Sequence, residues 1–392
     1  MENNSHKKTI IACFIGYISQ AIIVNFAPLL FLTFQKMYGI PIERISVLIL
    51  INFGVQLVTD LLASKYVSRI GIRRCVVAAH IMCGVGLILM AFLPLAANPF
   101  LWIILSTVIY AVGGGLIEVL VSPLVEACPT DNKAGVMSIL HSFYCWGVVG
   151  VVIISTVFFN LFGQEKWSIL SVIWALVPLF NAVFFTRVPI YQIAEETGDK
   201  ANYNELFKQR SFWVMMIIML CAGASEQAIS QWASTFFEGG LKISKTAGDL
   251  IGVCGFSLCM GISRALYGKF SESISIKKAM AVCAVLCVIG YLFIGFSDIA
   301  VFGIIGCIIC GFAVGIFWPG AFSMATGVVN SGGTTMFALL ALSGDLGCSL
   351  GPSTAGFMTS VFSGNMKYGL LCAVVFPMVL LMSLAVIKKN TR

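Results

Sequence analysis

Twelve apolar runs of about 20 residues follow one another along the chain, separated by short polar turns. A run of this length, wound as an α-helix, matches the hydrocarbon core of a bilayer, which is about 30 Å thick. The composition agrees, because 59% of the residues are hydrophobic and only 10% are charged, whereas soluble domains carry about 25% charged residues. A soluble fold is therefore excluded. The sequence predicts an all-α polytopic membrane protein with twelve transmembrane helices.

The only long polar stretch lies between the sixth and seventh runs. It predicts a cytoplasmic central loop over residues 191–210, which joins two six-helix bundles, residues 1–190 and 211–392. The spans are predicted at 10–32, 44–63, 75–95, 99–121, 134–159, 167–187, 211–237, 247–267, 278–297, 299–322, 333–358 and 367–387.

Basic residues set the predicted orientation, since loops rich in Lys and Arg stay in the cytoplasm. With the N-terminus inside, 17 of the 24 Lys and Arg residues fall on the cytoplasmic side and six on the outer side. Both termini are therefore expected in the cytoplasm, and the protein in the plasma (inner) membrane. The net charge of +7 is spread over these loops and forms no single patch, so nucleic acid is not expected as a partner.

The chain contains 14 cysteines, yet residues such as Cys83, Cys221 and Cys307 sit inside apolar runs. We expect them to be small buried apolar side chains, not a disulfide framework. No Cys pair is flanked by His at a spacing typical of a metal site, and the sequence predicts neither a metal nor a cofactor.

The two halves of the chain repeat one another. Gly16–Ile22 in the first run reappears as Gly223–Ile229 in the seventh, a shift of 207 residues. The basic segment Ser64–Arg74 reappears as Gly268–Lys278, a shift of 204 residues. Bundles related by such a parallel repeat typically hold their solute between them near the bilayer midplane and rock to expose it to each side in turn.

The first basic segment resembles the signature loop of the major facilitator superfamily, Gly-x-x-x-Asp-Arg-x-Gly-Arg-Arg. Arg69, Gly71, Arg73 and Arg74 match this pattern, while Ser64 replaces its first Gly and Ser68 its Asp. The resemblance covers the whole chain, since the twelve spans and the central loop also fit. It implies the major facilitator fold, and a gating role for Arg73.

Two stretches are similar to the fucose/hexose:proton symporter branch of that superfamily. Gly115–Glu118, followed by Ser122-Pro123, resembles the branch's fourth-helix motif, in which the Glu serves proton coupling. Glu226 and Trp232 match the seventh-helix pattern that faces the sugar. The resemblance therefore implies proton coupling at Glu118 and sugar contacts on the seventh helix.

Other positions depart from that branch. His141–Gly147 aligns with the fifth-helix segment, but Tyr144 stands where the branch has Asn. In the first helix the fucose members carry an Asp, and this chain has Asn25. Fucose itself and a relay of two carboxylates are therefore not implied.

An ionisable side chain inside a span costs about 2.5–3.5 kcal/mol on insertion scales, so its presence suggests function. Glu118 lies on a glycine-rich helix, where a carboxyl removed from water can take up and release a proton near neutral pH. Asp345 lies on another small-residue face and is a second candidate for proton coupling. Asp60 and Arg264 occupy equivalent ends of the second and eighth spans, which favours a gating role.

Sugars need carboxylate or amide groups for their hydroxyls and an aromatic face for their C–H surface. Polar and aromatic residues of the first, fifth, seventh and tenth spans offer this combination. The predicted substrate-binding residues are Gln20, Asn25, His141, Tyr144, Glu226, Gln227, Gln231, Trp232 and Trp318. His80 is expected to have no polar companions and to be structural.

These features together predict a secondary active transporter that moves a hexose-like sugar or similar small polar solute, with protons, by alternating access. A proton-driven exporter of drugs is the main alternative. Nucleosides and peptides stay open, whereas organic acids are disfavoured because no Lys or Arg was placed at mid-span. No enzyme motif is present, and we expect the protein to work as a monomer in the lipid bilayer.

Overall fold

A computed structural model describes residues 5–92, 94, 98–130, 133–191, 203–270, 275–296, 299–329 and 333–387 of the protein. Over these residues, helices coincide with all twelve predicted spans, and we number them α1 to α12. They are α1 Ser5–Asn25, α2 Ile42–Ile70, α3 Ile72–Phe92, α4 Pro99–Glu126, α5 Lys133–Phe162, α6 Trp167–Arg187, α7 Arg210–Thr235, α8 Gly255–Phe270, α9 Ile276–Phe296, α10 Ala300–Val314, α11 Gly333–Val361 and α12 Met366–Cys372.

Two predicted segments fall partly outside the described residues. Most of the predicted central loop, residues 192–202, does so, although a short helix, Tyr203–Lys208, lies in its second part. In the basic segments, the side chains of Ser64, Lys65 and Ser68 and the whole of residues 271–274 also lie outside.

Three crossings are interrupted near a proline. A 3₁₀ turn at Ala27–Leu30 carries Pro28, and the crossing resumes at Phe31–Tyr38. α10 stops at Val314 and resumes as Phe317–Val328, two residues before Pro319, and α12 resumes as Val375–Val386. Because proline lacks the N–H that a helix needs, such breaks are its expected result.

When the segments of an interrupted helix are counted together, eleven helices of the described chain are long and apolar enough to cross a bilayer. α11 is the remaining predicted span, and its 29 residues include Asp345, Pro352 and several Gly and Ser. These residues lower its hydropathy, while the small side chains allow neighbouring helices to approach closely.

The chain divides into two compact units. Unit 1 comprises residues 1–41 and 51–196, and unit 2 comprises residues 42–50 and 197–392. The main division falls inside the predicted central loop, and only the first nine residues of α2 group with the later half.

Within unit 1, α3 packs along α4 and α6, and α1 packs on α5. Close approach depends on Gly113, where a Cβ atom would overlap the Ala79 carbonyl oxygen. Ser171 on α6 donates a hydrogen bond of 2.7 Å to the Leu87 carbonyl on α3.

Within unit 2, α7 packs closely against α11. Three glycines make this seam: a Cβ at Gly347 would overlap the Leu220 carbonyl, one at Gly351 the Ala224 carbonyl, and one at Gly223 the Gly344 carbonyl. The two backbones are therefore in direct contact at these points, and alanine does not fit there without separating the helices.

A buried ion pair lies where α7 leads into α8. Two π-helical turns, Phe236–Gly240 and Gly248–Cys254, flank the connection. Lys245 Nζ lies 2.9 Å from Asp249 Oδ2, and Ser234 Oγ donates 2.5 Å to Asp249 Oδ1. Asp249 is only 1% exposed. Its carboxylate therefore lies between one cation and one hydroxyl.

Candidate solute and proton site

Unit 1 gathers three polar side chains from three helices around one amide. Gln20 Nε2 on α1 donates 2.9 Å to Gln56 Oε1 on α2 and 3.2 Å to Glu118 Oε2 on α4. Gln20 and Gln56 are 4% and 3% exposed. The amides therefore fix the position of the Glu118 carboxyl, which itself stays partly exposed.

Asp60 joins this group from α2, one turn beyond Gln56. Its Oδ1 lies 2.9 Å from the position that a Cβ at Gly115 would occupy, so α2 and α4 touch here. The Asp60 and Glu118 carboxyls are close enough for their charges to interact. Gln20, Gln56, Asp60 and Glu118 are called the acidic cluster below.

Some buried atoms of the acidic cluster lack partners in the described structure. Gln20 Oε1 and Asp60 Oδ1 accept no hydrogen bond there, and Gln56 Nε2 donates none. Buried polar atoms are nearly always paired with protein or water. A group that both donates and accepts hydrogen bonds would therefore satisfy these atoms.

Asn25 on α1 and Tyr144 on α5, which are both predicted to bind solute, lie next to each other. Asn25 Nδ2 donates 3.0 Å to the Ala21 carbonyl and approaches Tyr144 Oη at 3.4 Å. His141, one turn before Tyr144 on α5, is exposed, and its ring lies 5.4 Å from that of Tyr17. Tyr17 Oη is 3.0 Å from Ser122 Oγ on α4.

Unit 2 carries a polar row along α7. Gln231 Nε2 donates 3.2 Å to Gln227 Oε1, and Gln227 Nε2 donates 3.3 Å to Glu226 Oε1. Arg264 Nη2 on α8 lies 3.5 Å from Glu226 Oε2. All three α7 side chains are at most 5% exposed, and Arg264 is 25% exposed.

The contact between Arg264 and Glu226 was not predicted. The sequence placed this residue at the cytoplasmic end of its span as a gate and found no cation at mid-span. The long side chain instead reaches the polar row, because an arginine stem can extend along apolar surface and deliver its charge elsewhere. A gate between Asp60 and Arg264 stays a prediction, as does the gating role of Arg73.

Trp232 has no exposed surface. Its indole N–H donates 2.8 Å to the Pro352 carbonyl on α11, and its ring lies against Gly356. This is the placement of a packing residue between α7 and α11, and it differs from the sugar platform that the sequence predicted.

Trp318 and Asp345 lie on neighbouring helices of unit 2. The Trp318 ring covers Gly344 on α11, next to Asp345, and stays partly exposed. Its place at the start of the second α10 segment follows from the helix break before it. Roles for both residues, in solute binding and proton coupling respectively, remain predictions.

Arg73 is held at the end of α6. Its Nη1 donates 2.7 Å to the Phe185 carbonyl and 3.0 Å to the Thr186 carbonyl. Both acceptors belong to the last turn of a helix, whose carbonyls have no partner within the helix. The guanidinium thus caps α6 and ties it to the start of α3.

His80 is structural, but the expectation that it lacks polar companions is wrong. Its ring is fully buried, with Nδ1 2.7 Å from the Val76 carbonyl and Nε2 2.9 Å from Asn181 Nδ2. Asn181 also donates 2.9 Å to the Ala12 carbonyl. These bonds link α3, α6 and α1.

Sequence reasoning missed Gln56, Asn181 and the Ser234–Lys245–Asp249 group. An amide inside an apolar run carries no charge and was therefore not identified as a candidate. The four-residue spacing of Gln56 and Asp60, which places both on one face of a helix, could have indicated Gln56. Among the described residues, no group of three or more His, Cys, Asp or Glu side chains is arranged to hold a metal ion.

Comparison with known proteins places this architecture in a family. The Major Facilitator Superfamily model matches residues 9–352 and 240–391. No curated protein matches significantly. Among solved structures, a bacterial homologue of the human lysosomal transporter Spinster has a TM-score of 0.77 at 14% identity, covering 98% of this chain and 97% of its own. The nucleoside transporter NupG has a TM-score of 0.74 at 15% identity, covering 98% and 100%.

The fucose:proton symporter FucP of E. coli has a TM-score of 0.65 at 14% identity, covering 97% of this chain and 98% of its own. At these identities the structures show the fold alone. The family model, in contrast, spans nearly the whole sequence. The chain therefore belongs to the major facilitator superfamily and has the transporter fold of that family.

Proposed function

We propose that the protein is a secondary active transporter for a neutral, hydroxyl-rich small solute, such as a hexose-like sugar, coupled to protons. The acidic cluster is the observation that carries this proposal. In this cluster, the Asp60 carboxyl on α2 and the Glu118 carboxyl on α4 lie beside the amides of Gln20 and Gln56 within unit 1.

Proton coupling needs a group that changes its charge in the interior of the protein. Glu118 and Asp60 are the ionisable members of the acidic cluster, and Gln20 holds Glu118 by a hydrogen bond of 3.2 Å. Binding of a proton and of a solute at neighbouring positions would link their affinities, as thermodynamic reciprocity requires.

The unpartnered atoms of the acidic cluster favour a hydroxyl-bearing ligand. Gln20 Oε1 needs a donor and Gln56 Nε2 needs an acceptor. A hydroxyl group supplies both at once. A water molecule or a sugar hydroxyl has the chemistry to complete these bonds, whereas an apolar drug would leave them unsatisfied.

Unit 2 favours a solute without net charge. Glu226 and Arg264 form an ion pair at 3.5 Å, so the polar row of α7 offers amides beside two charges that cancel. An organic acid would call for an unmatched cation, and a lipophilic cation for an unmatched anion.

The similar structures add support of a general kind. FucP is described as a fucose:proton symporter and NupG as a nucleoside transporter. Both solutes carry several hydroxyls on a ring. We extend the proposal to alternating access by the bundles 1–190 and 211–392, with both termini cytoplasmic and a monomer as the working unit.

Transport in proteoliposomes tests the coupling. A proton driven by a membrane potential of 100 mV releases about 2.3 kcal/mol, enough for about a 50-fold solute gradient. We expect Glu118→Gln to abolish this accumulation and to preserve exchange of labelled solute, because exchange needs no net proton movement. The matched control is Glu126→Gln, on the exposed last turn of the same helix, which should accumulate solute like the parent protein.

The solute is found first by thermal-shift screening of the purified protein against monosaccharides, nucleosides, organic acids and lipophilic cations, since a ligand that binds only the folded state raises its stability. Stabilisation by lipophilic cations alone would contradict the proposal and favour a drug exporter. Accumulation by the Glu118→Gln variant would contradict the role of Glu118.

A further inference from the structure

A cleft of about 530 Å³ lies in unit 1, away from the acidic cluster. It is lined by the α2–α3 turn, residues 70–74, and by Ile190 and Tyr191 after the end of α6. The turn is tight, since Gly71 has φ +99°, a conformation that favours glycine. The positive-inside rule assigns this face to the cytoplasm.

The charge of this cleft has one sign. Among the described residues that line it, the ionisable side chains are Arg73 and Arg74 together with the Tyr191 phenol, and none is a carboxylate. Arg73 is fixed by its bonds to the Phe185 and Thr186 carbonyls, whereas Arg74 is exposed. The Arg73 guanidinium is therefore held in place and the Arg74 guanidinium is accessible, and each supplies donors in a planar fork that suits a phosphate.

The α2–α3 turn itself carries no acidic side chain. Residues 64–74 contain neither Asp nor Glu, because Ser68 stands where the superfamily pattern has Asp. The cleft also includes the start of α3, a helix of 21 residues whose first N–H groups have no partner within the helix. Both features add to the attraction for an anion.

The remaining walls of the cleft are apolar. Ile70, Ile72 and Ile190 line it, and Ile70 is 52% exposed. Tyr191 is of a residue type enriched at the membrane–water interface. An anion with an attached hydrocarbon chain matches this combination better than a small, fully hydrated ion does.

We propose that this cleft binds the phosphate group of an anionic phospholipid from the cytoplasmic leaflet. Basic pockets at the cytoplasmic ends of transmembrane helices are suited to such headgroups. The proposal is independent of the transported solute and of proton coupling.

Native mass spectrometry of the detergent-purified full chain, with added phosphatidylglycerol or phosphatidylcholine, tests it. We expect phosphatidylglycerol to bind more tightly, and Arg74→Gln to weaken that binding at least about fivefold, since one basic residue near an anionic surface contributes about 1 kcal/mol. Arg74→Lys should fall between the two because it keeps the charge and loses the fork. The matched control, Arg69→Gln, changes an exposed arginine of the same basic segment that does not line the cleft, and should bind like the parent protein.

Each opposite result would overturn the proposal. Equal binding of the two lipids would show that the headgroup charge is not recognised. Equal losses in the Arg69→Gln and Arg74→Gln variants would show diffuse attraction without a site. Displacement of phosphatidylglycerol by millimolar inorganic phosphate or glycerol phosphate would identify a soluble phosphate compound, not a lipid, as the ligand.

Discussion

Replacing Trp232 with Phe separates packing from solute recognition. The indole N–H makes a fully buried bond of 2.8 Å to the Pro352 carbonyl. Loss of the donor removes this bond, at about 0.5–1.5 kcal/mol, since the Pro352 carbonyl keeps its partner within α11. The smaller ring leaves a space worth about 1 kcal/mol more. We expect the Trp232→Phe variant to lose about 1.5–2.5 kcal/mol of stability and to keep its solute affinity.

Trp213→Phe is the matched control. Trp213 lies on the same helix and also donates a 2.8 Å bond, to the Phe207 carbonyl, but its side chain is 50% exposed. Water can replace the lost donor there, so the loss should be about 0.5 kcal/mol or less.

Unfolding by sodium dodecyl sulfate in mixed micelles, followed by far-ultraviolet circular dichroism, measures both variants, and the thermal shift with solute measures binding. Equal stability losses in the two variants would refute the packing argument. A Trp232→Phe variant that keeps its stability and loses solute binding would make Trp232 a sugar platform after all.

Three further substitutions probe other parts of the structure. Gly347→Ala should lower the unfolding midpoint by the equivalent of about 1–3 kcal/mol. Its control is Gly327→Ala, where no atom lies within 4 Å of the new Cβ and no loss is expected. Equal midpoints of the two variants would argue against close α7–α11 packing. Asn181→Leu should lower the stability by about 1–3 kcal/mol, because His80 Nε2 loses its hydrogen-bond partner, and should leave transport per folded molecule intact. A selective transport defect, measured by radiolabelled uptake, would contradict a structural role. Gln56→Leu should reduce proton-driven accumulation with little effect on folding, and uptake equal to that of the parent protein would remove Gln56 from the acidic cluster's function.

The helices could be predicted because each follows from a long apolar run, and a run of 20 apolar residues in a membrane has few alternatives to a helix. The break before Trp318 was equally accessible, since Pro319 forces it. The hydropathy pattern does not indicate which neighbouring helix each side chain faces. Trp232 was expected to face the solute, yet it packs on α11, because residues adjacent in sequence, such as Gln231 and Trp232, lie on different faces of a helix.

Contacts between distant residues were the other limit. Gln20 and Glu118 were both predicted as site residues from their polarity, but their bond spans 98 residues of sequence, and nothing local indicates it. The partnership of His80 with Asn181 spans 101 residues and is hidden for the same reason. Arg264 shows a third limit, since the position of an arginine along the chain does not fix where its charge lies.

The buried pair of Lys245 and Asp249 bears on how the chain enters the membrane during synthesis. The two residues are four positions apart, so they can meet within their own helix before any other span is in place. A lone Lys or Asp costs about 2.5–3.5 kcal/mol at the centre of an inserting helix, and less near the end of the span, where this pair lies. Because the pair carries no net charge, the eighth span can partition into lipid as it emerges, without waiting for a neighbouring helix to neutralise it.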